Sequence, residues 1–160
     1  MSNSEIAVLF TIVIVLYLAG SWLHQRRQNA QVTALYREKL ASPDFAAVEA
    51  HFGVELPSEL KAFYNQPLAD KSTVLLLESG EWEIAGFEVI NGDSVELAFR
   101  GCESYVAIAQ DGCGDQYLFD PRDPKAGVFL KDSKTGEKSS VSESVPSFLR
   151  AIERSDGWKK

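Results

Sequence analysis

The sequence predicts an α+β domain of two short helices, a twisted and mostly antiparallel sheet of about five or six strands, and a C-terminal helix, all preceded by one transmembrane helix. The first ground is a change of period. Apolar residues keep helical spacing up to Tyr64, follow one another in extended runs from Thr73 to Lys131, and return to helical spacing at Val145, Phe148, Leu149 and Ile152. The second is Asp111-Gly112-Cys113-Gly114-Asp115, set between the apolar runs Tyr105–Ala109 and Tyr117–Phe119. Its two glycines supply the positive φ angles that a tight reversal needs, so the stretch reads as a β-hairpin. The third is a run of 18 residues without a charge, Ile6 to Leu23.

As a helix that run is about 27 Å long, close to the hydrocarbon thickness of a bilayer. The basic residues that would open a cleaved signal peptide are missing before it, and Arg26-Arg27 follow it. The positive-inside rule keeps the Arg26-Arg27 side in the cytoplasm, sends the N-terminus outside and sets Trp22 near the inner interface. Residues 1–27 are therefore expected to anchor a bacterial protein in the inner (plasma) membrane by a single pass. A buried helix of a soluble protein, or cleavage near Ala19-Gly20-Ser21, are the other readings of the run.

Residues 28–43 read as a helical stalk, with Val32, Leu35, Tyr36 and Leu40 at roughly helical spacing. Ser42-Pro43-Asp44 interrupts it and offers Ser42 or Asp44 as a cap for the next helix. The domain proper is expected over 44–155, with 156–160 as a tail. Its first helix, 44–51, puts Phe45, Val48 and Phe52 on one face and stops at Gly53. Pro57 at a first helical position and Glu59 in the first turn start a helix carrying Leu60, Phe63 and Tyr64, which Pro67 ends. Extended runs follow at Thr73–Leu77, Glu83–Ile90 and Val95–Phe99, the last after an Asn91-Gly92-Asp93 turn, then the hairpin and Gly127–Lys131. Lys131–Ser142 is polar without apolar periodicity and reads as a connecting loop, and Ser144–Arg154 as the closing helix.

Lys plus Arg number 16 against 23 Asp plus Glu. Such a domain repels phosphate backbones, which argues against nucleic acid and favours a basic partner, although acidity also serves solubility alone. Cys102 and Cys113 are expected as thiols in a reducing compartment and lack the spacing of a metal site; His24 and His51 lie far from both. His51, at a helix end, suits the negative end of the helix dipole. Asp111, Asp115, Asp120 and Asp123 follow neither an EF-hand spacing nor the pattern of a paired-carboxylate site, and Cys113 has no evident base beside it. The usual phosphate-loop, acyl-transfer and metalloprotease motifs are missing. The chain reads as a non-enzyme, with no catalytic residue, no cofactor, no metal and no small-molecule substrate.

The candidate binding stretch is 78–103, where Glu78, Glu81, Glu83, Glu88, Asp93, Glu96 and Glu103 face a single base, Arg100. Trp82 lies between two glutamates, and a tryptophan in an acidic rim is suited to anchor a basic partner. The competing reading is an edge strand guarded by charge, with Trp82 folded onto the core.

Three stretches together resemble a known family. The order Ile108-Ala109-Gln110, Asp111–Asp115, Tyr117-Leu118-Phe119-Asp120 resembles the central hairpin of the SMI1/KNR4 family of the SUKH superfamily. Phe52-Gly53-Val54-Glu55-Leu56-Pro57 leading into Ser58–Tyr64 resembles its opening helix pair, and Ser144–Ile152 its closing helix. The resemblance spans roughly residues 44 to 154. A departure is Asn65-Gln66-Pro67-Leu68, where the family often has an Asn-Gly-Gly turn. The resemblance implies a protein-binding module: many such domains are bacterial immunity proteins that neutralise a cognate toxin, others regulators in cell-wall signalling or partners of the secretion channel. The expected function is a membrane-tethered cytoplasmic module of this kind, an immunity protein whose acidic face suits a basic toxin. The alternative is an adaptor or regulator recruiting a cytosolic factor to a membrane or cell-envelope complex.

Overall fold

The computed structural model describes residues 3–68, 71–90, 105–123, 125, 127–156 and 158, with backbone alone over 3–16 and at 19. The chain divides into two units, Met1–Arg37 and Glu38–Lys160. Helix α1, Asn3–Leu40, runs through the first unit and along the stalk expected over 28–43 as far as Leu40. On it Arg26 lies over the Trp22 ring at 5.2 Å. The expected membrane span is not shown. Among the described residues no helix is long and apolar enough to cross a membrane, and Ile6 and its neighbours up to residue 16 have side chains outside the described set.

In the second unit, α2 (Phe45–Phe52) starts where the Asp44 carboxylate accepts the Ala47 N–H at 3.0 Å and stops at Gly53, whose φ of 69° is left-handed. Pro57 is the cap before α3 (Ser58–Tyr64) rather than its first residue, with an extended ψ of 133°. Glu49 staples the two helices together: one carboxylate oxygen accepts the Leu56 N–H at 2.7 Å and the Lys61 ammonium at 2.6 Å. These partners, Lys61 first, hold the Glu49 carboxyl below its usual range. Helix α3 ends at Asn65, before Pro67 is reached. It buries Leu60, Phe63 and Tyr64, and the Tyr64 hydroxyl shares its one proton between the carbonyls of Glu88 (2.9 Å) and Ile108 (2.8 Å).

The expected single sheet is two. Strands β1 (Thr73–Leu77) and β2 (Gly80–Ile84) form an antiparallel ribbon around the two-residue turn Glu78-Ser79. Strands β3 (Gly86–Phe87), β4 (Val106–Gln110), β5 (Gln116–Phe119), β6 (Val128–Lys131) and β7 (Lys138–Ser142) form an antiparallel meander in sequence order. The extended run expected over Glu83–Ile90 is broken at Ala85, whose N–H leaves the ribbon and bonds the Gln110 carbonyl at 2.9 Å. The central hairpin is as expected, β4 and β5 joined by Asp111–Asp115. Of its glycines only Gly114 takes a positive φ, 87°. The strand expected at Val95–Phe99 and the turn before it lie outside the described residues.

The expected loop over 131–142 contains β7. Asp132 accepts the N–H groups of Lys134 and Thr135, Gly136 turns at φ 76°, and the chain returns along β6. Only Val141 of β7 is buried, so this edge strand draws on its ladder rather than on an apolar face, and polarity concealed it. Gly127 leads into β6 where a Cβ would strike the Ser142 carbonyl.

Helix α4 (Val145–Arg154), capped by the Ser144 hydroxyl, buries Val145, Phe148, Leu149 and Ile152 and lays Phe148 on Tyr117 at 5.4 Å. Within the stretch expected as a tail, Trp158 is docked. Trp158 stacks on Phe63 at 5.0 Å, meets Phe87 edge-on at 5.8 Å, and lies under the Lys71 ammonium, which also donates to its carbonyl at 3.0 Å.

Candidate protein-binding surface

The ribbon β1–β2 carries the candidate site, and its register decides which side chains share a face. In an antiparallel pair, directly opposed residues point the same way and neighbours along a strand point oppositely. Thr73 opposes Ile84 and Leu75 opposes Trp82, whereas Val74 opposes Glu83 and Leu76 opposes Glu81. The first set faces inward: Thr73, Leu75 and Ile84 are buried and Trp82 is half-buried. The second faces outward, with Leu76 81% and Val74 48% exposed and both glutamates exposed.

Trp82 is therefore not set in a rim made by its flanking glutamates; strand alternation puts them on opposite faces. Its indole N–H donates to the Ser79 hydroxyl at 3.0 Å, and that hydroxyl donates to the Val141 carbonyl at 2.6 Å. The Ser79 hydroxyl thus ties the ribbon's turn to β7, and the indole holds that hydroxyl. Outside, Glu81 and Glu83 flank two exposed aliphatic side chains, Val74 and Leu76. Neither was singled out from the sequence, yet a signal existed. A strand carrying glutamates at alternate positions forces its partner, here the wholly apolar-plus-threonine run TVLLL, to put alternate residues beside them.

Glu83 also joins the ribbon to the central hairpin. Its carbonyl accepts the Tyr117 hydroxyl at 2.6 Å, and its carboxylate lies where a Cβ on Gly112 would meet it at 3.3 Å. Burial, then the charges of Asp111, Glu83 and Asp115, push the Tyr117 phenol above its ordinary range.

Glu88 stands apart from this surface. It follows β3, its carboxylate accepts from the Gln116 amide at 3.3 Å, and burial pushes its pKa up. Asp93 and Glu96, with Arg100 and Glu103, lie outside the described residues. Leu23, Arg26 and Arg27 are exposed on α1.

The turn carboxylates act as backbone acceptors. One oxygen of Asp111 takes the N–H groups of Cys113 and Asp115 at 2.8 and 2.9 Å, and Asp115 takes that of Ser133 at 2.8 Å. Asp120 is held low by its bond to the Arg122 guanidinium, 2.8 Å away. Among the described residues no three His, Cys, Asp or Glu side chains are placed to hold a metal ion. Cys113 is an exposed thiol; Cys102 lies outside the described residues. His51 sits exposed in the last turn of α2 with its ring edge-on to Phe52 at 4.9 Å.

A groove of about 990 Å³ follows β1 from the last turn of α4, where Ala151 and Arg154 line it, round to Glu81 and Glu83. The model of the SMI1 / KNR4 family (SUKH-1) matches residues 40–151, which among the described residues take in both opening helices, seven strands and most of α4. The chain belongs to this family. A search of curated proteins and one of solved structures each gave no match. The SUKH match begins at the last residue of α1 and stops before the Trp158 contact.

Proposed function

We propose that the chain is a protein-binding module of the immunity type, one that blocks a basic toxin by covering its surface and uses no catalytic residue. Membership of the SUKH family over residues 40–151 carries this reading. The outward face of the ribbon supports it, since exposed apolar side chains flanked by carboxylates suit a partner with basic residues around an apolar patch. We place the module on the cytoplasmic side of the inner membrane, tethered through Ile6–Leu23 with Arg26-Arg27 behind it.

A second reading, an adaptor that brings a cytosolic factor to a membrane complex, draws on α1. Val32 and Leu35 are 68% and 54% exposed along its cytoplasmic continuation in that topology, a face open to other helices. Affinity purification after crosslinking in detergent-solubilised membranes separates the two, comparing the full chain with one lacking residues 1–27. Under the immunity reading both versions retain a basic protein, and co-expression of either relieves that protein's toxicity. Recovery of envelope proteins by the full chain alone, with no toxicity relieved, overturns immunity in favour of the adaptor.

A further inference from the structure

We propose that the outer edge of β1 is a docking site for an extended cationic segment of the partner, which adds to the ribbon as a third strand. This rests on the reading of the chain as a protein-binding module and names the form its partner takes there.

Strand β1 pairs with β2 and, among the described residues, with no other strand. A two-residue turn makes Leu77 and Gly80 the closing hydrogen-bonded pair, so Leu75 with Trp82 and Thr73 with Ile84 also exchange bonds. By the same alternation Val74 and Leu76 turn their N–H and C=O groups away from β2. Folded proteins normally blunt such an edge with Lys, Pro, a bulge or a covering element. Thr73-Val-Leu-Leu-Leu77 has no charge and no proline, and its register is unbroken. This edge is built like one that receives a strand.

The surroundings select the occupant. The groove beside the edge carries Glu81, Glu83 and Asp156 against one base, Arg154. An added strand would lie about 10 Å from β2, two strand spacings, so lysine or arginine reaching over Val74 and Leu76 meets Glu83 and Glu81. Its alternate side chains would face the floor made by Leu75 and Ala151. An alternation of cationic and aliphatic residues therefore fits both sides.

The test uses the full chain, ¹⁵N-labelled in detergent, and a capped lysine–valine alternating octapeptide. The peptide is expected to slow amide exchange at Val74 and Leu76 at least tenfold, the equivalent of about 1.4 kcal/mol. Its counterpart methylated at every backbone nitrogen, which keeps the lysine charges and loses every backbone donor, should bind at least tenfold more weakly, and a glutamate–valine peptide should have no effect. Leu76→Pro removes an outward donor and no ladder bond, so it should fold and abolish the peptide's effect. Equal binding of the N-methylated peptide, or unfolding of the Leu76→Pro chain, overturns the proposal. Protection of both amides without peptide also overturns it: independent of dilution, the chain itself covers the edge; lost on dilution, a second copy does. A basic partner still retained by Leu76→Pro overturns the edge site and leaves the binding module standing. Retention of no partner by either chain overturns the module.

Discussion

Trp158 closes the aromatic cluster at the C-terminal end of the SUKH domain, and replacing it with alanine measures what that docking contributes. The indole makes two ring contacts, with Phe63 at 5.0 Å and Phe87 at 5.8 Å, and a cation–π contact with Lys71 at 5.3 Å. Ring pairs are worth about 0.5–1.5 kcal/mol each and a partly exposed cation–π contact about 0.5–1 kcal/mol. The Lys71 bond to the Trp158 carbonyl survives the substitution, because its acceptor is backbone. With Trp158 only half-buried, the expected cost of Trp158→Ala is about 2–3 kcal/mol. For a domain of this size that lowers Tm by roughly 6–12 °C in thermal unfolding of the full chain followed by circular dichroism. Lys71→Met removes both the cation–π contact and the bond to the Trp158 carbonyl and should cost about 1–2 kcal/mol. A Tm for Trp158→Ala within roughly 2 °C of the parent would mean that the tail adds nothing to the core, and the ring geometry would then be no guide to its energetics.

Glu88→Gln tests the half-buried carboxyl. Because folding raises its pKa, the folded chain holds more protons than the unfolded one, so stability falls as pH rises from about 4.5 through the raised value and is level above it. The glutamine variant should lose that decline and be more stable at neutral pH; denaturant titrations across pH that show the same slope for both chains refute this. Gly127→Ala should destabilise by about 1–3 kcal/mol in the same assay, since its methyl meets the Ser142 carbonyl. Glu81→Lys with Glu83→Lys should weaken a basic partner at least tenfold at low salt and less at high salt without moving Tm, as both side chains are exposed. Trp82→Ala should instead lower Tm, because the indole lies on the inward face and bonds Ser79; an unchanged Tm with lost binding would restore it to the outer surface.

The parts legible in the sequence are those written in local chemistry. Asp44 and Gly53 bracket α2, and the glycine-containing turn at 111–115 marks the hairpin, because caps and turns act over three or four residues. Strand β7 escaped because its residues are mostly polar; its partner, not its composition, makes it a strand. Trp158 escaped because a lone aromatic near a terminus has no period, and only Phe63 and Phe87 give it a place. At the candidate surface the acidic stretch was visible, while its division into faces depended on register. Proximity in sequence joined Trp82 to Glu81 and Glu83; pairing with β1 separates them.

That separation has a consequence for how such a domain can diversify. On the ribbon the inward residues, Leu75, Trp82 and Ile84, serve the fold, and of the outward ones Val74, Leu76 and Glu81 are exposed while Glu83 reaches Gly112 of the central hairpin. A lineage can exchange Val74, Leu76 and Glu81 while the inward set stays fixed, at little cost in stability. Under the proposed immunity role, in which the partner changes, such a two-faced strand lets one side vary while the other keeps the fold.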